Sequence, residues 1–231
     1  LVIESHTHFR PENYQGPERD RVLMFTPTKQ DKHQRSVYYE GLQLGMDLLV
    51  GRDGWVYLAE RSRIFRVRDT NNDGKADQSE DIIILKTTGT YPHNGLSGLS
   101  WNLEGKLIFG LGENLGHPYT MEGRDGVRIK GSKGIGGGVF RCTATGNKLQ
   151  QVARGFWNPF GTCVDRWGNV FAVDNDPGHS PPCRLLHVVP DGDYGYRFKY
   201  GRTGIHPFIA WDGELIGTLP MIHGTGEGPC E

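Results

Sequence analysis

Three times in this chain a short apolar run, an x-Gly turn and a second apolar run follow one another. Leu48–Leu58 does so around Asp53-Gly54, Leu99–Phe109 around Glu104-Gly105, and Thr162–Val173 around Trp167-Gly168. An x-Gly dipeptide between apolar strands signals a hairpin, because glycine takes the positive φ of a tight turn without steric cost. The beats start at 48, 99 and 162, and a third strand follows each: Ile64–Arg68, Gly138–Arg141 and Arg184–Val189. Units of about 40–60 residues with three or four short strands describe propeller blades. One blade cannot bury both faces alone, so blades stack around an axis. The expectation is an all-β fold, a β-propeller with about four blades present. Residues 1–231 read as one propeller domain, a fragment of a longer chain and of a six- or seven-bladed ring.

Composition narrows the function classes. The formal net charge is −1, and nucleic-acid partners call for a basic surface. No apolar run approaches the roughly 18 residues of a membrane span. Glycine (34) and proline (13) punctuate the apolar runs, as many short strands with tight turns require. The cysteines Cys142, Cys163, Cys183 and Cys230 show no metal or haem spacing, and either pairing or free thiols are open to them.

One loop carries an explicit ligand pattern. Asp69–Glu80 fits D-x-[DN]-x-[DN]-G-x5-E without mismatch. Asp69, Asn71 and Asp73 would supply oxygens, Gly74 the sharp turn, and the Lys75 carbonyl, Asp77 and a bidentate Glu80 the rest of a calcium shell. The flanks, Arg63–Arg68 and Ile82–Leu85, read as strands, so this is a strand–loop–strand site and not an EF-hand. A polar Asx turn is the bland alternative. Shifted by 42 residues, Arg21–Val37 overlays the same unit, with Pro27 in place of Asp69, Asp31 on Asp73 and Lys32 in place of Gly74: a degenerate copy.

Two further loops read as functional. In Thr90–Leu96, His93 follows a proline and precedes Asn94-Gly95; it would take the proton of a hydroxyl group, or else be a surface histidine. Glu113 ends the next strand. Gly155–Gly161 holds Asn158-Pro159, and Asp174, Asn175 and Asp176 cluster at the end of its partner strand, either for a second cation or as turn caps. His6 and His8 form an HxH pair, a metal claw or a bland polar segment. Gly134–Gly138 opens no helix and is not read as a nucleotide loop.

From Gly155 to Gly226 the sequence resembles the planctomycete-type membrane-bound dehydrogenase propellers, a haem-binding family. The runs that carry this are Gly155–Gly161, Val173–Gly178 and Pro181–Phe198. More distantly it is similar to the glucose and sorbosone dehydrogenases that bind pyrroloquinoline quinone (PQQ) and calcium. That resemblance implies a general base at His93, cofactor contacts at Asn158, and a cofactor-bound calcium near Asp176 and Pro177. Trp157 stands where those proteins carry an arginine, and Asp176 where they have glycine.

The expected function is a quinoprotein-like dehydrogenase of a sugar or polyol, periplasmic or secreted, passing electrons to a downstream cytochrome c domain. A calcium-stiffened propeller that binds carbohydrate or protein is the alternative. A lactonase-type hydrolase using Glu113, Asn158 and Asp174 around calcium is a third reading.

Overall fold

The structure is a computed structural model that describes residues 1–29, 32–131, 134–175, 178, 182–198 and 210–226. Its strands follow from apolar alternation. In Val56–Glu60 the side chains of Val56 and Leu58 enter one core, whereas Tyr57 and Ala59 enter the next. Successive side chains of a strand point to opposite faces, so a strand packed on both sides must be apolar throughout.

Among the described residues the strands form four sheets, antiparallel but for one parallel pair, and they are the blades of a β-propeller. The first holds β1 (Val2–Glu4), β2 (Asp20–Pro27) and β3 (His33–Leu42). The second starts with β4 (Gly45–Val50), β5 (Val56–Glu60), β6 (Arg63–Arg68) and β7 (Gln78–Thr87). The chain then lays down β8 (Leu96–Trp101) and β9 (Lys106–Leu111) of the third sheet. Next it returns to the second, where β10 (Tyr119–Gly123) pairs with β7 and β11 (Arg128–Gly131) with β10. The third sheet is completed by β12 (Gly137–Thr143), β13 (Gln150–Phe156) and β17 (Gly192–Asp193), the last parallel to β13. The fourth comprises β14 (Pro159–Val164), β15 (Val170–Asp174), β16 (Cys183–Val188) and β18 (His223–Thr225).

All three hairpin beats appear, as β4–β5, β8–β9 and β14–β15, each with its turn glycine at positive φ (Gly54 82°, Gly105 72°, Gly168 91°). The 42-residue copy also holds in topology, since β2–β3 and β6–β7 are equivalent hairpins. Its Asp31 lies outside the described residues.

Apolar layers join the sheets. Val22, Leu42, Val56, Leu58, Phe65 and Val67 fill the space between the first and second sheets. Tyr57, Ile64, Ile83, Leu107, Phe109 and Phe140 fill the next space, and Ile108, Val139, Phe156, Ala172, Leu186 and Val188 the third. Each large apolar side chain so buried contributes about 1.5–3 kcal/mol.

The inner strands β4, β8 and β14 lie side by side and run in the same direction. The Leu99 N–H donates to Asp47 Oδ2 (2.5 Å), Trp101 Nε1 to the Val50 carbonyl (3.2 Å), and Thr162 Oγ1 to the Gly98 carbonyl (2.6 Å). Consequently the hairpin turns gather at one end of the blades. The segments that enter β4, β8 and β14 and those that leave β5, β9 and β15 gather at the other. Among the described residues Cys142 and Cys163 are free thiols, and Cys183 Sγ donates to Asn175 Oδ1 (3.3 Å); Cys230 lies outside them.

Candidate functional site

The loop-rich end collects the polar residues that the blades bury. His93 and Asn94 enter β8, Glu113 and Asn114 leave β9, Trp157 and Asn158 enter β14, and Asp174 ends β15. Their close approach depends on glycine. A Cβ on Gly95 would stand 2.6 Å from the Arg61 Cα, and one on Gly112 would stand 2.6 Å from Asn158 Oδ1.

Asn158 is 2% exposed and ties the site together. Its Nδ2 donates to the His93 carbonyl (2.9 Å), its N–H donates to Asp174 Oδ1 (2.7 Å), and its carbonyl accepts from the Asn175 N–H (3.1 Å). Its Oδ1 is buried with no hydrogen-bond partner. An unpaired buried acceptor costs about 1–3 kcal/mol, and a bound group would relieve that cost.

The His93 ring makes no protein hydrogen bond among the described residues and is enclosed by other rings. His8, Phe9 and Tyr91 have centroids 5.2, 4.9 and 6.0 Å from it. Burial, and then the charge of His8, push its pKa below the ordinary imidazole value. It is therefore neutral near pH 7 and competent as a base.

His8 reaches this position because Asp20 organises the segment before it. The buried Asp20 carboxylate accepts from the N–H groups of His6 and Thr7, from Thr7 Oγ1 (2.6 Å) and from the Gly45 N–H (2.8 Å). His8 Nε2 then lies 3.1 Å from the Gly45 carbonyl, which requires that nitrogen to be the protonated donor. His6 points elsewhere, to Tyr14 Oη (2.5 Å) and Glu4 Oε2 (3.0 Å). The two histidines of the HxH pair thus take separate partners and form no claw.

Glu113 is 4% exposed, and its Oε2 caps a short turn by accepting from the Gly116 N–H (2.7 Å). Burial, with no compensating cation, raises its pKa to about 8. The turn it caps is left-handed over three residues, Asn114 (φ 64°), Leu115 (51°) and Gly116 (74°). Left-handed backbone at a non-glycine residue costs roughly 1–2 kcal/mol, and such strain clusters at functional sites. Asn114 is fixed from outside the turn by Arg61 Nη2 (2.8 Å) and Thr87 Oγ1 (2.7 Å).

Two sequence expectations change. Asp174 offers no oxygen to a cation: Oδ1 takes the Asn158 N–H, and Oδ2 takes the Trp157 N–H and the Arg184 Nε and Nη2. This dismantles the ligand set of the lactonase reading. Trp157 is buried in an aromatic cluster with Tyr196 and Trp211, where its large ring finds an apolar core. Asp176 and Pro177 lie outside the described residues.

The acidic loop between β6 and β7 forms a separate feature. Asp69 Oδ2 accepts from the Gly74 N–H (2.8 Å), Asn71 Oδ1 from the Asp73 N–H (2.9 Å), and Asp73 Oδ1 from the Lys75 N–H (2.8 Å). Gly74 takes the expected positive φ of 89°. Asp77 accepts from the Thr70 N–H and hydroxyl. Asp69 Oδ1 is buried without a partner, as an oxygen awaiting a cation would be. Glu80 departs from the expected shell: it stands on β7 opposite Arg66 and pairs with Arg66 Nη2 (2.9 Å) and Arg124 Nη1 (2.7 Å). Those arginines hold its pKa below the usual carboxylate value. Among the described residues no three His, Cys, Asp or Glu side chains converge tightly enough to hold a metal by themselves.

Sequence reasoning missed Arg61 and Asp20, which occupy unremarkable positions at a turn and a strand start.

The family described as a domain of unknown function, DUF7133, matches residues 1–201. No curated protein matches the sequence. Among solved structures, a glucose dehydrogenase superposes with a TM-score of 0.57 at 17% identity, covering 91% of this chain and 66% of that one. An oxidoreductase of Thermus thermophilus described as a glucose dehydrogenase gives 0.58 at 18%, covering 91% and 65%. The holo form of a pyranose dehydrogenase PQQ domain from Coprinopsis cinerea gives 0.51 at 10%, covering 77% and 48%. The chain thus spans just under two thirds of the first two structures. At these identities the likeness is one of fold.

Proposed function

The chain belongs to the DUF7133 family, and from that premise we propose that it is a quinoprotein-like dehydrogenase acting on a sugar or polyol outside the cytoplasm. The observation that carries this reading is the neutral imidazole of His93, which makes no hydrogen bond among the described residues, on a loop whose carbonyl is held by Asn158, itself a residue with a buried, unpartnered Oδ1. Resemblance of fold to dehydrogenases, one of them a PQQ domain, is consistent with it.

The residues present fit a quinone of this kind through that free acceptor and that base. A bound PQQ would supply the two-electron oxidising capacity. His93 accepts the substrate hydroxyl proton on a ring nitrogen, at a position fixed by the Asn158 clasp on its carbonyl and by the His8 and Phe9 rings. Phe9 is 74% exposed and offers a ring face on which a sugar can stack. Calcium at the β6–β7 loop would use Asp69, Asn71, Asp73, Asp77 and the Lys75 carbonyl, and would stiffen the second blade without touching the reaction. Electrons would leave through a haem domain elsewhere in the parent protein.

A second reading, a propeller that binds carbohydrate without turnover, is favoured by the exposed Phe9 ring alone. Reconstitution of the parent protein with PQQ and calcium separates the two. Dye reduction with an aldose or polyol panel is expected, with loss of at least a hundredfold in His93→Ala. Sugar binding that persists in His93→Ala, with no PQQ-dependent turnover in either protein, would replace the enzyme reading with the binding one. Calcium at 100 times its Kd would raise stability by about 2.7 kcal/mol, an effect absent from Asp69→Ala.

A further inference from the structure

Arg61 is 7% exposed, yet no carboxylate pairs with it among the described residues. Its Nε donates to the Tyr91 carbonyl (2.8 Å) and its Nη2 to Asn114 Oδ1 (2.8 Å), both neutral oxygens. Its Nη1 takes no protein partner among the described residues, and the atom is not sealed from solvent. Desolvation alone shifts its pKa, downward, with no neighbouring charge opposing it. Buried charges in proteins are normally paired, since an uncompensated one costs several kcal/mol.

The carboxyl groups of this end of the molecule are committed elsewhere. Glu60 takes Arg63 Nε (2.6 Å) and the Gln43 N–H (2.8 Å). Asp20 takes the segment before His8 together with Gly45, and Asp174 takes Arg184. Glu113 is kept neutral by burial. The Arg61 backbone is also fixed: its N–H donates to the Leu44 carbonyl (3.1 Å), its carbonyl accepts from the Leu96 N–H (3.1 Å), and Gly95 lies flush on it. It therefore sits under the loop Tyr91–Gly95 that carries His93, with the Nη1 hydrogens and the second Nη2 hydrogen left to donate among the described residues.

We propose that Arg61 is an anion receptor, whose guanidinium takes a carboxylate of the ligand bound beside His93. Arginine suits this role because its planar fork matches two carboxylate oxygens. A carboxylate there has two sources: a quinone cofactor that carries carboxylates, such as PQQ, or a sugar acid such as glucuronate as substrate. In its quinone arm the proposal rests on the reading above. It also answers the tryptophan at position 157, because a cation from the second blade supplies the positive charge that Trp157 does not.

The test is equilibrium binding by calorimetry, in calcium buffer, of PQQ and separately of glucuronate. The proteins are the parent chain, Arg61→Gln and Arg61→Lys. The expected result is a loss of about thirtyfold or more for one anion in Arg61→Gln, with a smaller loss in Arg61→Lys, which keeps the charge and lacks the fork. Loss for PQQ assigns the receptor to the cofactor; loss for glucuronate alone assigns it to a substrate acid. Unchanged affinity for both anions in Arg61→Gln overturns the receptor and leaves the quinoprotein reading standing. PQQ that fails to bind the parent, with Arg61-dependent glucuronate binding, does the reverse. Failure of the parent to bind either anion at 10 mM also overturns the receptor. Should Arg61→Gln not fold, Arg61→Lys decides: a loss of at least fivefold supports the receptor, and wild-type affinity rejects it.

Discussion

Arg184 and Arg61 are both buried arginines at the loop-rich end of the propeller, and they are treated in opposite ways. Arg184 has no exposure and no unmet need. Asp174 lies 2.9 Å away, the carbonyls of Gly155, Tyr194 and Trp211 accept from it, and the Trp211 ring covers its face at 3.7 Å. Arg61 has two neutral oxygens and, among the described residues, no counter-ion. The first arrangement ties the fourth sheet to the third and serves the fold. The second leaves charge without compensation, which a fold alone has no reason to keep, and it occurs beside the only half-buried imidazole enclosed by three other rings among the described residues.

The contrast can be broken by substitution. Arg184→Ala leaves the Asp174 carboxylate buried and unpaired, so a loss of about 3–5 kcal/mol is expected in urea denaturation. A cost under 1 kcal/mol would show that Asp174 is not held as an ion. Glu113 sharpens the comparison, since it too is buried without a charged partner. Its pKa rises from 4.5 unfolded to about 8 folded, so the folded state holds the proton more tightly. The stabilisation is complete below pH 4.5 and is lost as pH climbs to about 8. Wild-type stability should fall by about 2–4 kcal/mol across that interval from this group, and Glu113→Gln should flatten that part of the profile. An unaltered slope in Glu113→Gln would place the titration elsewhere. The smallest loss is expected at Arg61: Arg61→Gln should lower stability by no more than about 1 kcal/mol and can raise it, because it gives up hydrogen bonds to two neutral oxygens and relieves an unpaired buried charge. If Arg61→Gln were as costly as Arg184→Ala, the two arginines would be doing the same job.

Local patterns made the fold legible. A hairpin is specified by the residues of its own turn and by alternation along two adjacent strands, so three of the four sheets could be located from Gly54, Gly105 and Gly168. The acidic loop was visible for the same reason, except for Glu80. Strand pairing sets Glu80 opposite Arg66, and Arg124 arrives 44 positions later in the chain. The site was legible only in its anchors. His93 and Asn158 drew attention through neighbouring proline and glycine, yet the bond between them spans 65 positions. Arg61 reaches Asn114 across 53 positions and His8 reaches Gly45 across 37. No local signal marks such partners, because burial and the lack of a counter-ion are properties of the assembled sheets. Trp157 teaches the same lesson in reverse: its place in the chain pointed to the site, and its ring is buried in the aromatic cluster.

The hairpin β10–β11 joins the second sheet only after β8 and β9 of the third have been laid down. During synthesis the edge of β7 therefore stays open until residues 119–131 arrive, with the next blade already begun. The two blades are interlocked in time as well as in space, unlike stacked repeats, in which each unit can form by itself and propagate to its neighbour. Amide hydrogen exchange should show them opening as one cooperative unit, and a truncation after Leu111 should cost the second blade its stability although that blade's first four strands are all present.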